Sequence, residues 1–112
     1  RECLANGFLT GMINRDTIFP ANNLNNRYSR AEIKERLDQV ERLSFLVRGG
    51  IRTMAQAAIR WVLENPAVAV VLSGAKNRSE ILDCVAASEA EAYSQEELER
   101  TAKVHTKDFP AA

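Results

Sequence analysis

The chain has 112 residues, 46% of them hydrophobic and 27% charged, which suits one small globular domain and leaves no room for two. Fifteen Lys and Arg balance fifteen Asp and Glu, so no net field draws in nucleic acid or an anionic membrane surface. The longest apolar run is too short to span a bilayer, and Arg1-Glu2-Cys3 does not read as a secretory leader.

Cys3 and Cys84 lie far apart with no ligand-type spacing, and the single histidine, His105, completes no familiar zinc set with them. They read as two reduced thiols of a cytoplasmic protein. A disulfide between them is the alternative. The chain opens on Arg1 in a turn-like stretch, which reads as a piece of a longer protein.

In chain order, residues 1–12 carry Gly7 and Gly11 among small and apolar residues. This reads as the end of a strand running into a glycine-adapted loop. Residues 13–28 are rich in asparagine and contain Pro20, a composition that suits turns over regular structure. A loop of this length in a compact domain is more often functional than incidental. Ser29 with Glu32 predicts a capping box. Ile33, Leu37, Val40 and Leu43 then recur at helical spacing, with Leu46 and Val47 beyond, and Gly49-Gly50 is the expected stop. Thr53 with Gln56 predicts a second capping box. Its helix places Met54, Ala57, Ala58, Trp61 and Val62 on one face, with Ile59 and Leu63 round the side, and reads as largely buried. Asn65-Pro66 ends it.

Residues 68–72, Val-Ala-Val-Val-Leu, are apolar without alternation. Strands buried on both faces of a parallel sheet look like this. Ser73-Gly74 stops the run. Asn77 with Glu80 predicts a third capping box, opening a short helix with Ile81, Leu82, Val85 and Ala86 on its apolar side. A strand feeding through a glycine turn into a helix start forms a ledge that favours phosphate, and Lys76 and Arg78 add charge beside it. Ser94 with Glu97 predicts a fourth box and a final helix bearing Leu98, Ala102 and His105. The chain then trails off at Pro110. Four helices with one or two short strands give too little sheet for a complete α/β fold, so the implied fold is larger than the chain.

Three stretches resemble the C-terminal third of the aldo-keto reductase family. Leu4-Ala5-Asn6-Gly7-Phe8-Leu9-Thr10-Gly11 is similar to its "PLAxGLLTGK" segment. Ala55-Gln56-Ala57-Ala58-Ile59-Arg60-Trp61-Val62-Leu63 is similar to "AQxALRWVL". Val70-Val71-Leu72-Ser73-Gly74-Ala75-Lys76 is similar to the "VIPGA" eighth strand. Ser94–Leu98 resembles the closing "LSxEEL". The stretches keep the family's order and cover nearly the whole chain.

The resemblance implies a (β/α)8 TIM barrel that reduces aldehydes or ketones with NADP(H) or NAD(H), its site at the C-terminal ends of the strands. It places the cofactor's pyrophosphate against Leu4, Ala5, Gly7, Leu9 and Gly11. The adenosine phosphate falls at Gly74, Ala75, Lys76, Arg78 and Glu80, with Asp83 and Cys84 nearby. Arg27 corresponds to a loop arginine that folds over the cofactor. The family's catalytic Asp, Tyr, Lys and His motifs are absent from these residues, so Tyr28, Tyr93 and His105 read as packing or surface groups. There are departures from the pattern. Cys3 stands where the family usually has proline, and Met12 where it often has a phosphate-binding lysine. Glu80 replaces a Gln or Arg at the 2′-phosphate, and Cys84 replaces an adenine-reading Asn. A carboxylate at position 80 repels a phosphate dianion and favours NAD, while Lys76 and Arg78 favour NADP.

Two readings follow. The first is the cofactor-binding portion of an oxidoreductase, inactive alone, meeting its carbonyl substrate only in a complete barrel. The second is a small helical interaction module with no redox role. In either reading, the apolar faces and unpaired strand predict that the isolated chain self-associates or rearranges its helices.

Overall fold

A computed structural model describes residues 1–48 and 52–108. Gly49-Gly50 and Pro110, expected to end the first helix and the chain, lie outside the described residues. Four α-helices are present among the described residues: α1 (Arg30–Glu41), α2 (Met54–Leu63), α3 (Arg78–Ala86) and α4 (Gln95–Asp108). Short 3₁₀ turns occupy Ala5–Gly7, Leu24–Arg27 and Ser44–Leu46. No helix among them is long and apolar enough to cross a membrane.

Three helix starts are the predicted boxes. Ser29 Oγ accepts from Glu32 N at 3.2 Å while Ser29 N donates to Glu32 Oε2 at 2.7 Å. Thr53 and Gln56 do the same at 3.1 and 3.0 Å, as do Ser94 and Glu97. Each pair satisfies two amides that have no partner inside the helix. At α3 only half of the box forms. Asn77 Oδ1 accepts from Glu80 N at 2.9 Å, but the Glu80 carboxylate accepts from Lys76 N at 2.7 Å instead of from Asn77 N. The cause is the cap's backbone: φ is −151° at Asn77 against −67° at Ser29 and −82° at Thr53, which swings the Asn77 amide away.

The helix predicted to run from Ser29 toward residue 48 ends at Glu41. Bonds tighten to the i+3 spacing, with Leu43 N on Val40 O at 2.9 Å and Leu46 N on Leu43 O at 3.0 Å. The tighter turn carries Leu46 into the core with Ala57 and Tyr93, flanked by Leu43, Phe45 and Leu98. Arg52 lies in the same place with no side-chain exposure. Its Nε donates to Leu46 O at 2.7 Å, its Nη1 to Glu91 O at 3.0 Å, and its Nη2 pairs with the Glu97 carboxylate. The guanidinium stacks 4.6 Å from the Tyr93 ring centroid, and the Tyr93 phenol donates to Ala57 O at 2.7 Å. Arg60 ties α2 to Glu64 and to Ser88 O at 3.0 and 3.1 Å, and Glu64 accepts from Tyr93 N at 3.1 Å.

The strand expectations are corrected. Residues 68–72 carry no ladder, and Val70 and Leu72 are 71% and 68% exposed. Residues 1–12 form turns and no strand end. A strand needs a neighbour for its N–H and C=O groups, and the one bridge among the described residues, Arg48 to Arg52, is isolated. The helix faces shift for the same reason. Ala55, Ala57 and Ile59 are buried in α2, but Trp61, expected inside, is half-exposed. Ile81, Leu82 and Val85 of α3 also face solvent. The accessible surface, 7908 Å², exceeds the ~6200 Å² expected of a compact monomer of 12.5 kDa. The surplus is about twice the ~800 Å² that one partner buries in an ordinary protein interface.

Glu97 gives a pH prediction. Burial alone would raise its pKa, but hydrogen bonds from Ser94 and the charges of Arg52 and Arg48 outweigh it and hold the carboxyl below its ordinary value. A depressed folded-state pKa contributes stability that is present above the unfolded value and lost as pH falls through the folded one. Glu97→Gln is expected to cost about 2 kcal/mol at pH 7, between an exposed pair and a fully buried one. The deficit should shrink as the pH is lowered through the acid range, as measured by thermal unfolding of both proteins.

Candidate cofactor site

The first group of expected site residues lies on a strained turn. Ala5, Asn6 and Gly7 take φ of 49°, 56° and 96°, three left-handed residues in succession. For Ala5 and Asn6 this costs on the order of 1 kcal/mol each. Gly7 takes its φ without a side-chain clash, and a Cβ there would also press on Ile13 Cδ1 at 3.3 Å. The turn is closed by Gly7 N and Leu9 N on Leu4 O at 3.0 and 3.1 Å, and by Thr10 Oγ1 on Gly7 O at 2.6 Å. Leu4 and Leu9 are half-buried, while Ala5 and Gly11 are exposed.

Asn25 joins this turn to the long loop. It is 3% exposed, and its Nδ2 donates to Asn6 O at 2.9 Å. Its own amide donates to Asn23 Oδ1 at 2.8 Å, which caps the 3₁₀ turn Leu24–Arg27. Arg27, at the end of that turn, donates Nη2 to Tyr28 Oη at 2.8 Å and lies 4.8 Å from the Tyr28 ring centroid. Phe8 meets Tyr28 edge to face at 6.1 Å. The Ala5–Gly7 turn and the loop that carries Arg27 are thereby joined through Asn25 and Tyr28 although twenty residues separate them.

The second group surrounds the start of α3. Gly74, Ala75, Lys76 and Arg78 are exposed, and Glu80, Asp83 and Cys84 are half-buried. The Glu80 carboxylate sits on the Lys76 amide, a position that an anion at this helix start would otherwise take. Asp83 turns toward α2, where its Oδ1 accepts from Gln56 Nε2 at 2.9 Å and its Oδ2 from Thr53 Oγ1 at 3.2 Å. Ser73 Oγ donates to Cys84 Sγ at 3.3 Å, and both cysteines are free thiols. The bonds of the first group run within residues 4–28 and those of the second to α2 and the 73–80 loop.

Of the groups that could move a proton, Tyr93 is buried and already bonded to Ala57 O, and burial pushes its phenol far up. Tyr28 is half-buried beside Arg27, and His105 is exposed on α4. No cluster of three His, Cys, Asp or Glu among the described residues is placed to hold a metal ion. Sequence reasoning missed Asn25 and Arg36. Arg36, on α1, stacks 4.1 Å from the Tyr28 centroid. Its eight-residue offset from Tyr28 carries no helical signal, because Tyr28 precedes the helix.

Comparison with curated proteins and with solved structures returns no match. The family model described as the aldo/keto reductase family matches residues 1–106. That match takes in the left-handed turn, the Tyr28 cluster and the α3 start, and on it the chain belongs to the aldo/keto reductase family.

Proposed function

We propose that this chain is the C-terminal, cofactor-binding portion of an NAD(P)H-dependent aldo-keto reductase that converts aldehydes or ketones to alcohols. Family membership supports the reaction class. The observation that carries the site is the left-handed turn at Ala5–Gly7, tied by Asn25 to the 3₁₀ turn that carries Arg27. Such a turn brings backbone close to a ligand without a side chain in the way, and Arg27 supplies the counter-charge for a diphosphate. When bound, the reduced nicotinamide supplies a hydride to the carbonyl carbon. The residues of this chain bind and orient the dinucleotide, and the proton donor comes from elsewhere in a complete barrel. Tyr93, whose hydroxyl is already committed to Ala57 O, is unsuited to that task. The two free thiols agree with a reducing, cytoplasmic setting.

Glu80 bears on which dinucleotide fits. Its carboxylate already accepts from the Lys76 amide at 2.7 Å. A 2′-phosphate arriving there has to displace a like charge, whereas a free ribose hydroxyl can donate to it. NADH is therefore the better fit despite exposed Lys76 and Arg78. Calorimetric titration of the full chain should show tighter binding of NADH than of NADPH. Glu80→Gln should raise NADPH affinity about fivefold while leaving NADH within about twofold, a like-charge contact at a partly exposed site being worth about 1 kcal/mol. Binding of neither nucleotide would remove the reading.

A second reading has its own support. The surplus surface and exposed Val70, Leu72 and Val85 favour a self-associating module. Light scattering is expected to give a dimer or larger species at tens of micromolar, with Val70→Lys shifting it toward monomer. A compact monomer at all concentrations would oppose this reading.

A further inference from the structure

Asn6-Gly7 is the one place in the 112 residues where an asparagine precedes a glycine. The pair is chemically labile. A backbone amide nitrogen can attack the carboxamide of the asparagine before it and close a five-membered ring, and glycine has no side chain to hinder the approach. Asn65 is followed by Pro66, which has no N–H to give up, and the other six asparagines are followed by Asn, Leu or Arg.

Asn6 is exposed, so water reaches its carboxamide. The folded turn nevertheless holds the two reacting groups apart. At ψ 31° the Cα–Cβ bond of Asn6 lies nearly anti to Gly7 N, whereas ring closure needs the two eclipsed. Gly7 N donates to Leu4 O at 3.0 Å, and this bond has to break before the nitrogen can act as a nucleophile. At the other end of the same peptide unit, the Asn6 carbonyl accepts from the buried Asn25 Nδ2 at 2.9 Å. Rotation about the Asn6 Cα–C bond swings that whole unit, so it breaks the Leu4 and Asn25 bonds together. Thr10 Oγ1 grips the next carbonyl, Gly7 O, at 2.6 Å.

We propose that Asn6 is a deamidation site gated by this turn, with Asn25 as the latch. When the turn opens, Gly7 N gives its proton to hydroxide and attacks Asn6 Cγ. The new N–C bond closes a succinimide as the Cγ–Nδ2 bond breaks, and the amide leaves as ammonia with a proton from water. Water then adds to one of the two imide carbonyls and reopens the ring. Addition at Cγ gives aspartate, and addition at the main-chain carbonyl gives isoaspartate, whose main chain runs through Cβ and Cγ. The net change is amide plus water to carboxylate plus ammonium, with no redox step. Either product adds a negative charge at the turn, and the extra methylene of isoaspartate keeps the Leu4 and Asn25 bonds from re-forming together. The reaction is one-way, so it marks chains whose turn has stood open. Its chemistry is independent of what the turn binds.

The test is incubation of the full chain at mildly alkaline pH, with peptide mapping by mass spectrometry for the acid that replaces the Asn6 amide. In urea, Asn6 is expected to convert before any other asparagine. In buffer it should convert about twentyfold more slowly, two hydrogen bonds being worth about fivefold each. Asn25→Ala should speed conversion of the folded chain about fivefold and leave the rate in urea unchanged, because residue 25 is not adjacent to the reacting pair. Glu97→Gln weakens the core and not the turn, and should leave the folded rate within about twofold, since local openings need not follow global stability. Equal rates in urea and buffer overturn the gate. An equal gain in Asn25→Ala and Glu97→Gln also overturns it, because global unfolding would then be the route. Conversion first at another asparagine overturns the assignment of the site. Circular dichroism checks each fold. Should Asn25→Ala lose structure, Thr10→Val strips the bond to Gly7 O and is expected to speed conversion about threefold; no gain would count against the gate.

Discussion

The buried guanidinium of Arg52 is the constraint on which the rest of the structure depends. It draws together Leu46 before α2, Glu91 and Tyr93 after α3, and Glu97 at the start of α4. A fully buried charge is tolerated only when its donors are met and its charge is paired. The chain therefore cannot move α4 or the 91–93 segment without stranding Arg52. Glu97 serves twice, as the partner of Arg52 and as the carboxylate of the α4 capping box. The start of one helix and the centre of the core are thus a single arrangement. The candidate cofactor residues at α3 are fastened to this centre through Asp83, which α2 holds by Gln56 and Thr53.

Helix starts were readable in the sequence because their partners lie three residues apart. Ser29 with Glu32, Thr53 with Gln56 and Ser94 with Glu97 all form as expected. Asn77 with Glu80 shows where that local logic ends, since a backbone torsion outside the pattern redirects the carboxylate. Arg52 was not readable. Its partners at positions 91 and 97 lie 39 and 45 residues away, and nothing near it in the sequence says that its charge is buried. Residues 68–72 failed as a strand for the opposite reason. Their composition states a preference, but a ladder is a property of two segments, and the described residues supply no second one. Within the site, resemblance supplied Ala5, Gly7 and Arg27, while their assembly around Tyr28 depends on Asn25, a residue that reads simply as loop.

The two groups of candidate cofactor residues differ physically. The Ala5–Gly7 turn is held in a conformation that costs free energy and is fixed by Asn25 and by bonds to Leu4. A backbone kept in such a state is already shaped for a ligand, so binding need not supply that energy. The start of α3 is relaxed and carries its own carboxylate in place of an external anion. In the proposed function, affinity at the first group is assigned to preorganisation and selectivity at the second to the charge of Glu80.

The 66–75 segment has a consequence for the life of the polypeptide itself. Pro66 through Ala75 contains no charged side chain, and Val70 and Leu72 in its centre are open to solvent with no neighbouring strand among the described residues. Stacked copies of such a segment build cross-β fibrils. Glu64 and Lys76 flank it, and Pro66 stands at its entry. These are the gatekeepers that natural sequences place beside an unavoidable apolar strand. Glu64 also binds Arg60 and Tyr93 N, and Pro66 follows the end of α2, so the same flanks that serve the fold are suited to protecting the chain during the interval before Val68–Leu72 finds a covering surface.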